Sequence, residues 1–232
     1  MSGGGLVGLT KKEMPMPIRA VPCVKGELYH IYNRSIADYL IFNSNAEYTR
    51  MQEMLLYYNN ADVKVRFSEI KRLQDIHFIN FCSSGDNIVD IIAYCIMPTH
   101  IHLILSGFTD DTIRIFVSAI FKSYSLYFNR KRGRKGPLWE GRFQNVLVGN
   151  EDQLLHLTRY IHLNPTTAYL VNTPSEWPYS SYNEYLGKKI EYTICPNFKK
   201  YIQIEPLIYE KFTNEQIGYQ RKLAQLKKNA FV

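Results

Sequence analysis

The sequence predicts an α+β domain with an antiparallel sheet, built on the split βαβ pattern with one extra helix and a helical annex behind it. Three observations carry this. Strand and helix periodicities follow one another in the order β-α-β-β-α-β-α. Two apolar strand segments, 88–97 and 100–106, meet across a turn containing Pro98 and predict a hairpin. A helix opened by Asp110 and Asp111 carries a single continuous apolar face.

Residues 1–25 are rich in Gly, Pro and Lys without a period and are expected to form a flexible lead. Residues 27–34, aromatic and branched, predict the first strand. Ser44 and Glu47 have the spacing of a capping box, and Tyr48, Met51, Leu55 and Tyr58 follow at helical intervals. That helix should end near Asn59. Residues 77–82 resemble a further short strand, outside the order given above. Pro98 sits where a missing N–H costs no ladder bond. In the next helix Ile113, Phe116, Val117, Ile120, Phe121, Tyr124 and Phe128 share a face, and Arg130, Lys131 and Arg132 suit its C-terminal dipole. A basic loop leads to a fourth strand over 143–148. Asn150 caps the following helix, which Pro165 is expected to end at Asn164.

Lys and Arg number 28 against 21 Asp and Glu, a net charge of +7. That surplus suits a polyanionic partner, although alone it sets only solubility and steering. The 18 tyrosines suit base stacking and equally an ordinary core. Cys23, Cys82, Cys95 and Cys195 form no C-x-x-C pair and read as reduced thiols of a cytoplasmic protein. No apolar run reaches membrane-span length, and the first residues lack a signal-peptide pattern.

The chemistry centres on two segments. On a strand, His100 and His102 point the same way, which is half of a metal site. The competing reading is a pair of edge histidines merely packed at a hairpin end. On the helix from Glu151, Leu154, Leu157 and Ile161 form the core stripe, while His156, Tyr160 and Asn164 stack beside it at intervals of four. A polar shoulder on an amphipathic helix would look the same. Together, His100, His102 and the Asn164 oxygen would hold a divalent metal, Mg or Mn, with positions left for phosphate and water. Tyr160 would then be the nucleophile. A phenol with a pKa of about 10 needs help to ionise, and His156 is a weak auxiliary candidate.

The histidine pair, the basic loop after Arg130, the Leu138-Trp139 to Arg142-Phe143 segment and the Arg159-Tyr160 to Asn164-Pro165 segment resemble the single-tyrosine HUH transposases. The REP-associated tyrosine transposases are the branch they are most similar to, over roughly residues 27–186. The resemblance implies a ferredoxin-like fold and a divisible chain: lead 1–25, catalytic domain 26–186 and C-terminal extension 187–232. It implies metal held by His100, His102 and Asn164, and Tyr160 as the nucleophile. Single-stranded DNA near imperfect hairpins would be cut to a 5′-phosphotyrosine and a free 3′-OH, then rejoined. Monomers and homodimers both fit.

DNA contacts are expected from Arg130, Lys131, Arg132, Arg134 and Lys135, against a merely solvated loop. Arg34 and Arg142, beside strand ends, are expected to reach phosphate, against structural ion pairs. Trp139 reads as core rather than a base platform. Two other functions use the same residues: a non-catalytic hairpin-binding protein, and a phosphoesterase in which metal activates water and Tyr160 only orients the substrate.

Overall fold

The computed structural model describes residues 22–71, 78, 81–82 and 85–230. Its strands are β1 (Leu28–Arg34), β2 (Val89–Ile96), β3 (His100–Gly107) and β4 (Gln144–Leu147), in the sheet order β2-β3-β1-β4. Its helices are α1 (Asn45–Tyr58), α2 (Phe67–Ile70), α3 (Thr112–Lys131), α4 (Glu151–Thr167), α5 (Tyr182–Tyr185), α6 (Pro206–Asn214) and α7 (Ile217–Ala230). β3 lies between β1 and β2 and runs antiparallel to both, while β4 pairs antiparallel with the far edge of β1. This is the split βαβ arrangement that the element order predicts.

The two faces of the sheet have different covers. α3 buries the seven apolar residues expected of it. α1 packs beside α3, and Gln52 Nε2 donates to Tyr94 Oη at 3.0 Å on that face. α4 lies over the opposite face, where the Tyr160 ring approaches His102. Behind it, the chain returns to cover the outer edge of β2: Ile96 N donates to Tyr179 O at 2.9 Å and Ser181 N to Tyr94 O at 3.0 Å. An edge strand that would otherwise offer unpaired amides is thus occupied.

Three local expectations are corrected. Phe78, Phe81 and Cys82 are helical, not part of a strand; the rest of 77–82 lies outside the described residues. Phe78 and Phe81 both set their rings against Tyr57, which a spacing of three permits on a helix but not on a strand. α4 continues through Pro165 to Thr167 instead of stopping at Asn164. Proline there leaves the Ile161 carbonyl without its N–H donor, and Asn164 Nδ2 takes that oxygen at 3.3 Å. The capping box of α1 is not made, and its glutamate reaches one residue further back instead. Ser44 makes no side-chain cap bond, and Glu47 Oε2 accepts from Asn43 N at 2.7 Å.

Of the expected lead, residues 1–21 lie outside the described residues. Lys25 N donates to Asp110 Oδ1 at 2.6 Å and Gly26 N to Gly107 O at 2.9 Å, so its last residues are tied to the sheet. The four cysteines are free thiols. Among the described residues, no helix is long and apolar enough to cross a membrane.

Glu47 joins the two helices of one layer. Its buried carboxylate accepts from Lys131 Nζ at 2.8 Å and from Arg132 at 3.3 Å. Burial alone would raise its pKa, but the Lys131 bond, the Asn43 amide and the two cations outweigh it and hold the group below the usual glutamate range. A depressed carboxylate stabilises the fold above its unfolded pKa, and that stabilisation is lost as pH falls through the folded value. Glu47→Gln should therefore melt below wild type at neutral pH, with the gap closing as pH falls below about 4.5 in thermal scans.

Candidate active site

Strand alternation and register assemble the site. β1 turns Tyr29 and Ile31 into the core and leaves His30, Tyr32 and Arg34 on the face toward α4. Opposite them on β3, Arg34 pairs with His100, Tyr32 with His102 and His30 with Ile104. β4 adds Gln144 opposite Tyr32 and Val146 opposite His30. With Asn33, Glu140, Tyr160 and Asn164, these residues line a cleft of about 790 Å³. His100, His102, Tyr160 and Asn164, predicted from segments some sixty residues apart, thus share one cavity.

The imidazoles are oriented from behind. His100 Nδ1 lies 2.9 Å from Thr99 Oγ1, and His102 Nδ1 lies 3.0 Å from His30 Nε2. Each bond occupies Nδ1 and leaves Nε2 for an ion, the usual layout of ligand histidines. Both rings are held neutral. Burial, followed by Arg34, lowers His100 to about 4, with Asp38 opposing. Burial, then His100, His30 and Arg34, drives His102 well below the usual histidine value. Asn164 Nδ2 donates to Tyr160 O at 3.0 Å as well as to Ile161 O. Two carbonyls can be met only by the amide nitrogen, so Oδ1 is turned outward. Among the described residues no three His, Cys, Asp or Glu side chains form a ligand group. Two imidazole nitrogens and one amide oxygen therefore fit an ion that keeps substrate or solvent oxygens, as Mg and Mn do, better than a closed zinc site.

The Tyr160 ring sits 5.9 Å from that of His102, nearly perpendicular to it, and the side chain is 44% exposed. Crowding at its hydroxyl raises the pKa, with Arg34 pulling it back. Arg34 lies at the end of β1, 3.3 Å from Asp38, which the bend after the strand returns to it with Ala37 and Asp38 both in left-handed conformation (φ 51 and 52).

Other expected contacts lie elsewhere. His156 is outside the cleft: its Nδ1 lies 2.8 Å from Arg159, and its ring lies against Phe212 of α6. The 40° drift per four residues on a helix carries it off the edge that Tyr160 and Asn164 occupy. Arg130, Lys131, Arg132, Arg134 and Lys135 do not line the cleft. Lys131 and Arg132 bind Glu47, and Arg134 bonds Asn129 and the Pro137 carbonyl. Arg142 lines a separate hollow of about 400 Å³ that shares Asn33 with the cleft. Trp139 is buried, its Nε1 donating to Phe121 O.

The face of α4 away from the cleft explains its placement. Thr158, Ile161, His162 and Pro165 are buried with Leu154, while Leu157 is only partly covered. His162 bonds Tyr209 Oη at 2.6 Å through Nδ1 and Ser181 Oγ at 2.7 Å through Nε2. Tyr209 also reaches Thr158 at 3.1 Å, and Ser181 Oγ accepts from Tyr94 N on β2 at 2.9 Å. Arg221 of α7 donates to the Thr166 and Val171 carbonyls. The annex thus grips the tyrosine helix two residues to either side of Tyr160, at Thr158 and His162, and two beyond Asn164, at Thr166.

Comparison with known proteins bears on this cleft directly. Residues 61–164 match the model of the IS200-like transposase family, a span holding His100, His102, Tyr160 and Asn164. A Haemophilus influenzae protein, named as a proposed REP-associated tyrosine transposase, is 28% identical over 104 residues, covering 40% of this chain and 59% of the relative. The REP-associated tyrosine transposase of Escherichia coli K12 is 28% identical over 100 residues, covering 42% of this chain and 57% of its own. The chain thus spans under three fifths of the length of either relative. A solved REP-associated tyrosine transposase bound to a REP hairpin aligns over 78% of this chain and 90% of its own, at 19% identity and a TM-score of 0.49. The matched segment ends at Asn164, so the gripping annex lies outside it.

Tyr209→Phe removes the hydroxyl shared by His162 and Thr158 and leaves a buried ring nitrogen unpaired. The expected loss is about 1–3 kcal/mol in urea unfolding.

Proposed function

We propose that this protein cleaves and rejoins single-stranded DNA near hairpins through a tyrosine-linked intermediate, with a divalent metal. The single observation that carries this is the convergence of Tyr160 and Asn164 with His100 and His102 in one open cleft. Binding alone needs no phenol beside two neutral imidazoles whose Nδ1 atoms are both already engaged. The relatives' names, REP-associated tyrosine transposases, support strand transfer through a tyrosine, and the net charge of +7 supports a polyanion.

His100, His102 and Asn164 would hold the ion, Mg or Mn, which supplies Lewis-acid polarisation of a non-bridging phosphate oxygen. Tyr160 Oη attacks phosphorus and the P–O3′ bond breaks. The phenol gives up its proton and the departing 3′-oxygen gains one, so the products are a 5′-phosphotyrosine and a free 3′-OH. Arg34 steadies the phenolate and the phosphate charge from the end of β1. Attack by another 3′-OH reverses the step and frees Tyr160. One phosphodiester is exchanged for another, so no external energy source is required. His100, His102, Tyr160 and Asn164 come from one chain, and a monomer supplies all four.

The test incubates the protein with single-stranded flanks of its own gene and Mg²⁺ or Mn²⁺, then runs a denaturing gel. Wild type should form a covalent adduct that Tyr160→Phe does not. His102→Ala should slow metal-dependent cleavage by about 10²-fold or more while leaving DNA binding in place. Cleavage with many turnovers that survives Tyr160→Phe would establish the water-activating phosphoesterase instead. Tight hairpin binding with no adduct in either metal would establish the non-catalytic binder.

A further inference from the structure

The cleft holds a third histidine that neither the metal nor the nucleophile requires. His30 stands on β1, its ring edge to edge with that of His102, with centroids 5.2 Å apart and planes at 21°. Its Nε2 lies 3.0 Å from His102 Nδ1. Between two neutral imidazoles only one nitrogen of this pair can carry the hydrogen. If His30 Nε2 donates, His102 Nδ1 accepts, its hydrogen sits on Nε2, and His102 has no lone pair to offer an ion. If His102 Nδ1 donates, His30 must accept, and His102 Nε2 is bare.

The geometry points to His30 as a positioning residue that accepts the His102 Nδ1 hydrogen and so holds His102 in the tautomer able to bind metal. This rests on the metal-dependent reading proposed above. The two orienting partners differ in kind. Thr99 is a hydroxyl beside His100 that can turn to donate or accept, so it does not select a tautomer. The Nε2 of His30 is fixed in its ring and cannot turn away as a hydroxyl can; with its hydrogen on Nδ1 it accepts from His102 and selects one tautomer, and its register opposite Val146 and Ile104 holds it on the sheet rather than on a loop. His30 is no ligand itself, since its Nε2 is turned to His102 and no three-histidine group is present among the described residues.

The test uses the full-length protein and two variants. His30→Phe keeps a ring of similar size that cannot accept, whereas His30→Gln can return an oxygen near the Nε2 position. Imidazole ¹⁵N spectra of metal-free protein should show His102 as Nδ1–H in wild type and shifted toward Nε2–H in His30→Phe. Mn²⁺ affinity, titrated by electron paramagnetic resonance without DNA, should fall about 10- to 100-fold in His30→Phe and recover in part in His30→Gln. Circular dichroism reports whether each variant folds. Wild-type His102 found as Nε2–H, or Mn²⁺ affinity unchanged in His30→Phe, overturns the role of His30 alone. Wild type with the expected tautomer but no Mn²⁺ binding overturns the metal reading and this role with it.

Discussion

The pairing register of β1 with β3 is the constraint on which the cleft depends. Because successive strand side chains alternate faces, slipping β1 by a single residue against β3 would set Tyr29 and Ile31 beside His100 and His102 and drive His30 and Arg34 into the core. The burial pattern forbids that slip. Tyr29 and Ile31 are almost wholly buried, and the layer of α1 and α3 that they meet is filled by rings and branched chains. The apolar face thereby fixes the polar one. What is conserved energy for the fold is alignment for the chemistry, and neither was set separately.

The second constraint is the seat of α4. A helix laid on a sheet by a narrow apolar stripe can roll, and a roll of one residue would carry Tyr160 away from His102. The buried chain from Tyr94 through Ser181, His162 and Tyr209 to Thr158 opposes that roll with directional bonds. His162 suits the position because it offers a polar atom at each end of a rigid ring. Burial lowers its pKa to about 3, so it stays neutral and the network stays complete at ordinary pH.

Much of this was legible in the residues. The hairpin histidines follow from alternation, the seven-residue face of α3 from its period, and Tyr160 with Asn164 from their spacing of four. Four things were not. His30 is a single histidine in an aromatic strand, and only the pairing of β1 with β3 tells which residue it meets; the polar alternation of His30, Tyr32 and Arg34 was the available signal. His162 is a polar residue on a helix side that Leu154, Thr158, Ile161 and Pro165 cover, and its two partners come from segments the helical period does not reveal. Residues 77–82 show that a short apolar run does not declare its period. The basic residues after Arg130 were legible as charge, but not that Glu47 engages two of them.

Asn164 divides its amide between two tasks. The nitrogen closes the helix end that Pro165 opens, and in doing so it freezes the side-chain torsions before any ion arrives. The oxygen is then presented with its ordering entropy already spent. Aspartate would supply a stronger oxygen but would press lone pairs against two carbonyls, and serine would be too short to reach across the turn. The amide that answers the carbonyl left without a donor by Pro165 is thereby held in one orientation at the mouth of the cleft, so the proline and the fixed asparagine are one feature.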